Sequence, residues 1–321
     1  MKLIIQIPCL NEEDSLPITL ADLPREVPGF DSVEWLVVDD GSQDRTVEVA
    51  IENGVDHILR LPSNQGLAVA FPAGIKRCAE LGADVVVNTD ADNQYQASCI
   101  PALVAPIINK EADIVIGARP IGSIKHFSPL KKVLQYFGSA AVRWASGTNV
   151  KDAPSGFRAL GIEQALRLNV YNSYTYTIET IIQAGHRNMR VTNVDVTVNG
   201  DLRPSRLFKS IHVYVHRNML TIVRFFVIYK PLRFFLMTSA IPFFVSLILF
   251  GRFGLYYIMG LGSGKVQSLI FAAALLMLGG ILVALGIIGD IVAINRRKIE
   301  DLHFEVLWQR ILRLREDRSR P

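Results

Sequence analysis

The run Asp84-Val85-Val86-Val87-Asn88-Thr89-Asp90-Ala91-Asp92-Asn93-Gln94 is where the fold and the chemistry of this chain first declare themselves. Its β-branched half reads as a short buried strand, and the polar residues begin where that strand ends. Asp90 and Asp92 stand two apart, so in extended backbone both carboxylates lie on one side. Such a pair repels unless a cation sits between its members, and hard oxygen ligands select Mg²⁺ or Mn²⁺. Gln94, two residues further on, is a candidate third ligand. An ion held this way keeps positions open for a diphosphate, whose charge it neutralises on departure.

The same arrangement recurs outward from that run. A strand over residues 3–7 leads into Pro8-Cys9-Leu10-Asn11-Glu12-Glu13, and one over 34–38 leads into Asp39-Asp40-Gly41-Ser42. A further strand over 113–116 is followed by Gly117-Ala118-Arg119. Between the strands, residues 44–53, 65–81 and 98–109 have helical spacing and helix-start residues. Alternation at this interval predicts βαβ units and a mostly parallel α/β sheet with helices on both faces. Ligands of such sheets bind beyond the carboxyl ends of the strands. Taken singly, Asn11 or Asp44 reads as a helix cap and Asp40-Gly41 as a turn. Three acidic clusters at three strand ends on one edge read together as a site.

Composition sets the outer bounds. The chain has 321 residues, 34 Lys+Arg against 30 Asp+Glu, and half of it is hydrophobic, with a mean hydropathy of +0.28. Ordinary Gly and Pro contents with ample apolar residues exclude disorder, collagen-like repeats and coiled coil. A formal charge of +4 is too small to argue for nucleic acid. Cys9, Cys78 and Cys99 form no C-x-x-C pair, so reduced core thiols are expected. The N-terminal apolar stretch is too short for a signal peptide and reads as the first strand.

Hydropathy concentrates beyond Pro231. Residues 234–250 carry no charge, Arg252 could snorkel, and residues 269–289 form a cleaner apolar span. Arg217, Arg224, Lys230 and Arg233 precede the first span, and Arg296, Arg297 and Lys298 follow the second. Only Arg252 and Lys265 lie between. The positive-inside rule therefore places both termini and the large N-terminal domain in the cytoplasm, on an inner or plasma membrane crossed twice. Residues 206–229 read as amphipathic helices on the anionic leaflet. Gly280 and Ala284 form a small-x-x-x-small pair that suits packing against the first span or against another copy of the chain. Residues 299–315 read as an amphipathic helix that could pack on the catalytic domain. The expected divisions are 1–203 catalytic, 204–230 interfacial, 231–295 membrane-spanning and 296–321 a cytoplasmic C-terminal helix.

In chain order, Pro8-x-x-Asn11-Glu12, Val38-Asp39-Asp40-Gly41-Ser42 with Asp44 and Thr46, Asn64-x-Gly66 and Asp90-x-Asp92 resemble a family 2 glycosyltransferase of the GT-A fold. Gly117-Ala118-Arg119, Asp152-x-x-Ser155-Gly156-Phe157-Arg158 and the two spans narrow the resemblance to polyprenyl-phosphate glycosyltransferases. That group includes dolichol-phosphate mannose synthases, and the two-span form is most similar to its bactoprenol glucosyltransferase branch. The resemblance implies a nucleotide pocket lined by Pro8, Leu10 and Glu12, with Asp40 and its neighbour Asp39 at the base or ribose. It puts Asp90 and Ala91 beside the ribose and diphosphate, and the metal on Asp90, Asp92 and Gln94. Arg119 would meet a phosphate, and Arg203 with Lys209 would clamp donor and lipid phosphates.

Asp152 either contacts sugar and acceptor, where other members of the superfamily place a base, or is a loop residue paired with Arg158. Leu10 departs from the aromatic residue of many mannose synthases, which leaves the nucleotide base open. The processive polymer-making branch is disfavoured, because Ala140-Ala141-Val142-Arg143-Trp144 lacks the Gln of its Gln-x-x-Arg-Trp motif. The implied activity is metal-dependent, inverting transfer of one hexose from a nucleotide sugar to a polyprenyl phosphate at the cytoplasmic face. UDP-glucose leads as donor, with GDP-mannose and an aminosugar donor behind it, and a non-catalytic scaffold or lipid transporter stands as the alternative from another class.

Overall fold

The computed structural model describes residues 1–120, 129–171, 176–199, 220, 223–224, 226–260 and 266–319. Seven strands form one sheet: β1 (Lys2–Cys9), β2 (Ser32–Asp39), β3 (His57–Arg60), β4 (Val85–Asn88), β5 (Ile114–Ala118), β6 (Arg158–Gly161) and β7 (Val191–Asp195). Their order is β3-β2-β1-β4-β6-β5-β7. β1 pairs in parallel with β2 and β4, β2 with β3, and β5 with β7. β6 alone runs antiparallel, to both β4 and β5. Its entry therefore lies on the same sheet edge as the carboxyl ends of β1, β2, β4 and β5, and brings residues 152–157 to them. This is the mostly parallel mixed sheet of the GT-A fold.

The helices are α1 (Leu16–Asp22), α2 (Thr46–Glu52), α3 (Leu67–Glu80), α4 (Ile100–Ile108), α5 (Pro129–Ser146), α6 (Ile162–Leu166) and α7 (Thr177–His186). Successive β1 residues Leu3, Ile4 and Ile5 are all fully buried, which requires layers on both sheet faces. On one face Leu3, Ile5, Val37 and Val87 pack with Leu16 and Leu20 of α1 and with Ile100, Leu103 and Val104 of α4. Each such side chain contributes roughly 1.5–3 kcal/mol by leaving water. The helix expected over 98–109 opens with a separate 3₁₀ turn, Ala97–Cys99, because Pro101 fits only the first turn of α4.

Two longer helices follow, α8 (Pro231–Ile258) and α9 (Val266–Ser319), and both are long and apolar enough to cross a membrane. The chain divides into one unit of residues 1–222 with 301–321 and another of residues 223–300. Within the second unit, α8 and α9 pack through glycines of α9. A Cβ on Gly279 would stand 3.0 Å from the Phe243 ring, one on Gly286 3.0 Å from Phe235, and one on Gly289 2.9 Å from Pro231. Gly280, expected at such a contact, has nothing within 4 Å of that position. The seven-residue step from 279 to 286, rather than the 280/284 pair, faces α8. Ser246 seals the contact by donating to the Ala272 carbonyl at 2.7 Å.

Within the first unit, residues 301–319 of α9 lie against the sheet domain. Phe304 and Ile311 are buried, and the Arg167 guanidinium stands 3.8 Å over the Phe304 ring. Arg315 donates to the carbonyls of Ala79 and Ala83, where α3 ends.

Candidate active site

Backbone amides of three loops converge on a few side-chain oxygens and so fix the floor of the site. Asn11, in left-handed backbone at φ 54, donates its amide to the Ser42 hydroxyl and accepts from the Gln43 amide. The Glu12 amide donates to Thr46 Oγ1 at 2.8 Å, and the Glu12 carboxylate accepts from Ser15 at 2.6 Å. These bonds tie the β1 loop to the start of α2. Pro8 and Leu10 remain partly exposed along it.

Asp39 and Asp40 are both buried. Asp39 Oδ1 accepts from the Ser42 amide at 3.0 Å, and Arg60 approaches Oδ2 at 3.3 Å. Asp40 accepts from the amides of Gln65 and Gly66, each at 2.8 Å. Its two oxygens therefore hold the loop before α3. Gly41 permits this closure, because at φ +78 a Cβ there would fall 2.6 Å from the Ser63 backbone.

The β4 loop carries the unpaired charge. Asp92 Oδ1 accepts from the Gln94 amide at 3.2 Å, and among the described residues no donor reaches the Asp90 carboxylate. Burial first, and then the neighbouring charge of Asp92, push the Asp90 carboxyl up to about 7, against the pull of Arg119 and Arg158. Ala91, between them, is anchored where its carbonyl accepts from Thr19 Oγ1 at 2.8 Å. Under Asp90 lies Gly156, where a Cβ would meet both carboxylate oxygens at 3.0 Å. A pair of under-satisfied carboxylates with oxygens to spare fits a divalent cation. Among the described residues no third His, Cys, Asp or Glu joins them, so further ligands would come from a substrate, water or Gln94.

Across from this pair, Arg119 forks onto Asp152, Nε to Oδ2 at 2.7 Å and Nη2 to Oδ1 at 3.1 Å. Asp152 is fully buried and also accepts from Gln135 Nε2 of α5 at 3.2 Å. Burial disfavours the Arg119 charge, but the ion pair with Asp152 outweighs it and holds the guanidinium above its ordinary range. Arg119 Nη1 approaches Gln94 Oε1 at 3.5 Å, which sets that amide oxygen between the guanidinium and the carboxylate loop.

The partner of Asp152 is Arg119, not Arg158. The Arg158 guanidinium is fully buried and, among the described residues, donates only to neutral oxygens: Ser155 and Ala153 carbonyls at 2.7 and 2.9 Å and Thr180 Oγ1 at 2.8 Å. Behind it Asn88 donates to the Gly156 carbonyl and to the Tyr176 hydroxyl, and Tyr176 stacks on Phe71 at 3.8 Å. Gln135, Gly156 and Tyr95 belong to the site by position although sequence reading gave them no role. Gln135 lies seventeen residues before its partner, and no local pattern marks it. Arg203 and Lys209 lie outside the described residues.

The geometry defines a class: an α/β domain whose sheet edge sets paired carboxylates against a clamped arginine, a constellation for a nucleoside diphosphate and its leaving charge. A sequence profile described as "Glycosyl transferase family 2" matches residues 4–159. The chain is 32% identical to the undecaprenyl-phosphate mannosyltransferase of Micrococcus luteus over 218 residues, 64% of this chain and 88% of that one. It is 28% identical to the UDP-N-acetylglucosamine--dolichyl-phosphate N-acetylglucosaminyltransferase of Methanococcus voltae, over 59% of this chain and 82% of that one. Its fold is similar to glucosyl-3-phosphoglycerate synthase from Mycobacterium tuberculosis, solved with Mn²⁺, UDP and phosphoglyceric acid. That likeness has a TM-score of 0.52 and 22% identity over 69% of this chain and 78% of that one. The chain belongs to glycosyl transferase family 2 and is a glycosyltransferase of the GT-A fold.

Proposed function

We propose that the protein transfers one hexose from a nucleoside diphosphate sugar to a polyprenyl phosphate at a membrane surface, with inversion. The observation that carries this is the Asp90–Asp92 pair facing the Asp152-clamped Arg119 on one sheet edge, in a chain whose apolar α8 and α9 can reach a lipid. Relatives named for transfer to undecaprenyl, polyprenol and dolichyl phosphates support the acceptor class.

Asp90 and Asp92 would hold the Mg²⁺ or Mn²⁺, which when bound supplies positive charge for the departing diphosphate. The remaining steps belong to the chain. Pro8, Leu10 and Glu12 border the nucleotide, while Asp39 and Asp40 act at one remove by fixing the Ser42 and Gly66 loops. Arg119 presents a guanidinium to a phosphate, and Asp152 sets its orientation. A phosphate monoester has its second pKa near ~6, so the attacking oxygen is already ionised and needs no strong base. Catalysis then rests on positioning and charge stabilisation. Arg203 and Lys209 are assigned to the lipid phosphate on the family resemblance.

UDP-glucose is the donor that the two-span branch resemblance favours. A mannose donor is the second reading, favoured by relatives named as mannosyltransferases. Purified protein incubated with undecaprenyl phosphate, Mn²⁺ and separately labelled UDP-glucose, GDP-mannose and UDP-N-acetylglucosamine should place label in the extracted lipid from one donor. Asp92→Ala should abolish that transfer. Label absent from the lipid with every donor would overturn the assignment.

A further inference from the structure

α5 has two faces with different tasks. Gln135, Ser139 and Val142 are buried against the sheet domain, and Gln135 reaches Asp152. On the opposite face Tyr136 is 67% and Trp144 61% exposed, with the Arg143 guanidinium 5.7 Å over the Tyr136 ring. The sequence of α5 holds Lys131, Lys132 and Arg143 and no acidic residue. Tyr and Trp are amphipathic rings that settle at the level of lipid headgroups. A basic helix with such rings on its outer face complements an anionic bilayer surface, which attracts each cation brought near it. Lipid is at hand, since the same chain carries two helices long and apolar enough to cross a bilayer.

We propose that the outer face of α5, through Tyr136, Arg143 and Trp144, lies on the anionic lipid surface and is a second membrane contact besides the apolar helices. Its inner face then links that surface to the reaction. Gln135 is one residue from Tyr136 and bonds Asp152, which clamps Arg119. A shift of α5 on the bilayer is thus felt at the phosphate-facing guanidinium. Only this consequence rests on the reading of the acceptor as a lipid.

The chain offers a direct test, because it has three tryptophans. Trp35 is 6% exposed, Trp308 is partly buried, and none falls within residues 231–295, so the apolar spans add no tryptophan signal. Full-length protein is reconstituted in phosphatidylcholine–phosphatidylglycerol bilayers containing lipid brominated near the headgroup end of its chains. Wild-type emission should be quenched, and Trp144→Phe should lose most of that quenching. Tyr136→Trp in the Trp144→Phe background should restore it from the same face. Equal quenching of wild type and Trp144→Phe would overturn the proposal. So would a Trp144 quenched by aqueous acrylamide but not by lipid, or one shielded from both, which would mean cover by a second copy. The readout needs no turnover, so its failure leaves glycosyl transfer standing, and failed transfer leaves the lipid contact standing.

Discussion

Asp90 is the residue at which stability and activity part. Its carboxyl is raised to about 7 by burial and by the Asp92 charge. A carboxyl with a raised folded-state pKa gives stability that is full below its unfolded value of 3.8 and is lost as pH rises through the folded value. The metal-free protein therefore carries an uncompensated repulsion at pH 8 that it lacks at pH 5. Asp90→Asn should raise the metal-free melting temperature at pH 8 by a few degrees, at about 2–4 °C per kcal/mol for a unit of this size. The gain should be smaller at pH 5 and vanish only below the unfolded value of 3.8. The same variant should lose both the melting shift produced by Mn²⁺ and glycosyl transfer. Thermal scans at two pH values with and without Mn²⁺ check this, and a variant less stable than wild type at pH 8 would show that Asp90 is not under strain.

At the scale of elements, Asp152 joins three parts of the fold: the end of β5 through Arg119, the entry to β6 on its own loop, and α5 through Gln135. Among the described residues both its oxygens accept from Arg119 or Gln135, so they are occupied as a clamp rather than offered as a base. Removing one member of a buried pair costs about 3–5 kcal/mol, because the other charge is left unpaired. Asp152→Asn should therefore lower stability and cut kcat/KM by about 100-fold, a loss of the size seen when one preorganised electrostatic contact goes. Its pH–rate profile should keep the wild-type shape, and loss of the acidic limb would make Asp152 the base.

The same element shows how far sequence carries. Asp90, Asp92 and the three strand-end clusters were legible because each follows its strand directly, so a local pattern of apolar run and acid locates it. The positions of β1, β2, β4 and β5 were legible for the same reason. β3 and β7 were not, since His57-Ile58-Leu59-Arg60 and Val191-Thr192-Asn193-Val194-Asp195 lie half-exposed and lack an apolar run. The reversal of β6 and the Arg119–Asp152–Gln135 contact depend on pairing across the chain, which no spacing within one segment encodes. The Arg158 pairing failed for a related reason: proximity in sequence suggested Asp152, while burial turned the guanidinium towards carbonyls and Thr180.

Across the whole molecule the net charge of +4 is the sum of opposed patterns rather than an even basicity. Acids gather at the sheet edge, where the proposed cation and diphosphate would need them. Bases gather beside the apolar helices, with Arg224 and Lys230 before α8, Arg233 in its first turn, and Arg296, Arg297 and Lys298 within α9 after its apolar stretch. The connection between the helices has only Lys265, with Arg252 inside α8. Basic flanks are retained on the cytoplasmic side during insertion, so the topology proposed from these flanks has residues 1–222 and 301–321 in the cytoplasm and the connection outside. In a Cys99→Ser background, Cys9 and Cys78 stay buried, which leaves an introduced thiol as the reporter. A membrane-impermeant maleimide on intact cells should label Ser263→Cys in the connection. It should label Gln309→Cys, on the exposed side of α9, only after permeabilisation. Labelling of Gln309→Cys in intact cells would reverse the topology and remove the nucleotide-sugar site from the compartment that supplies its donor.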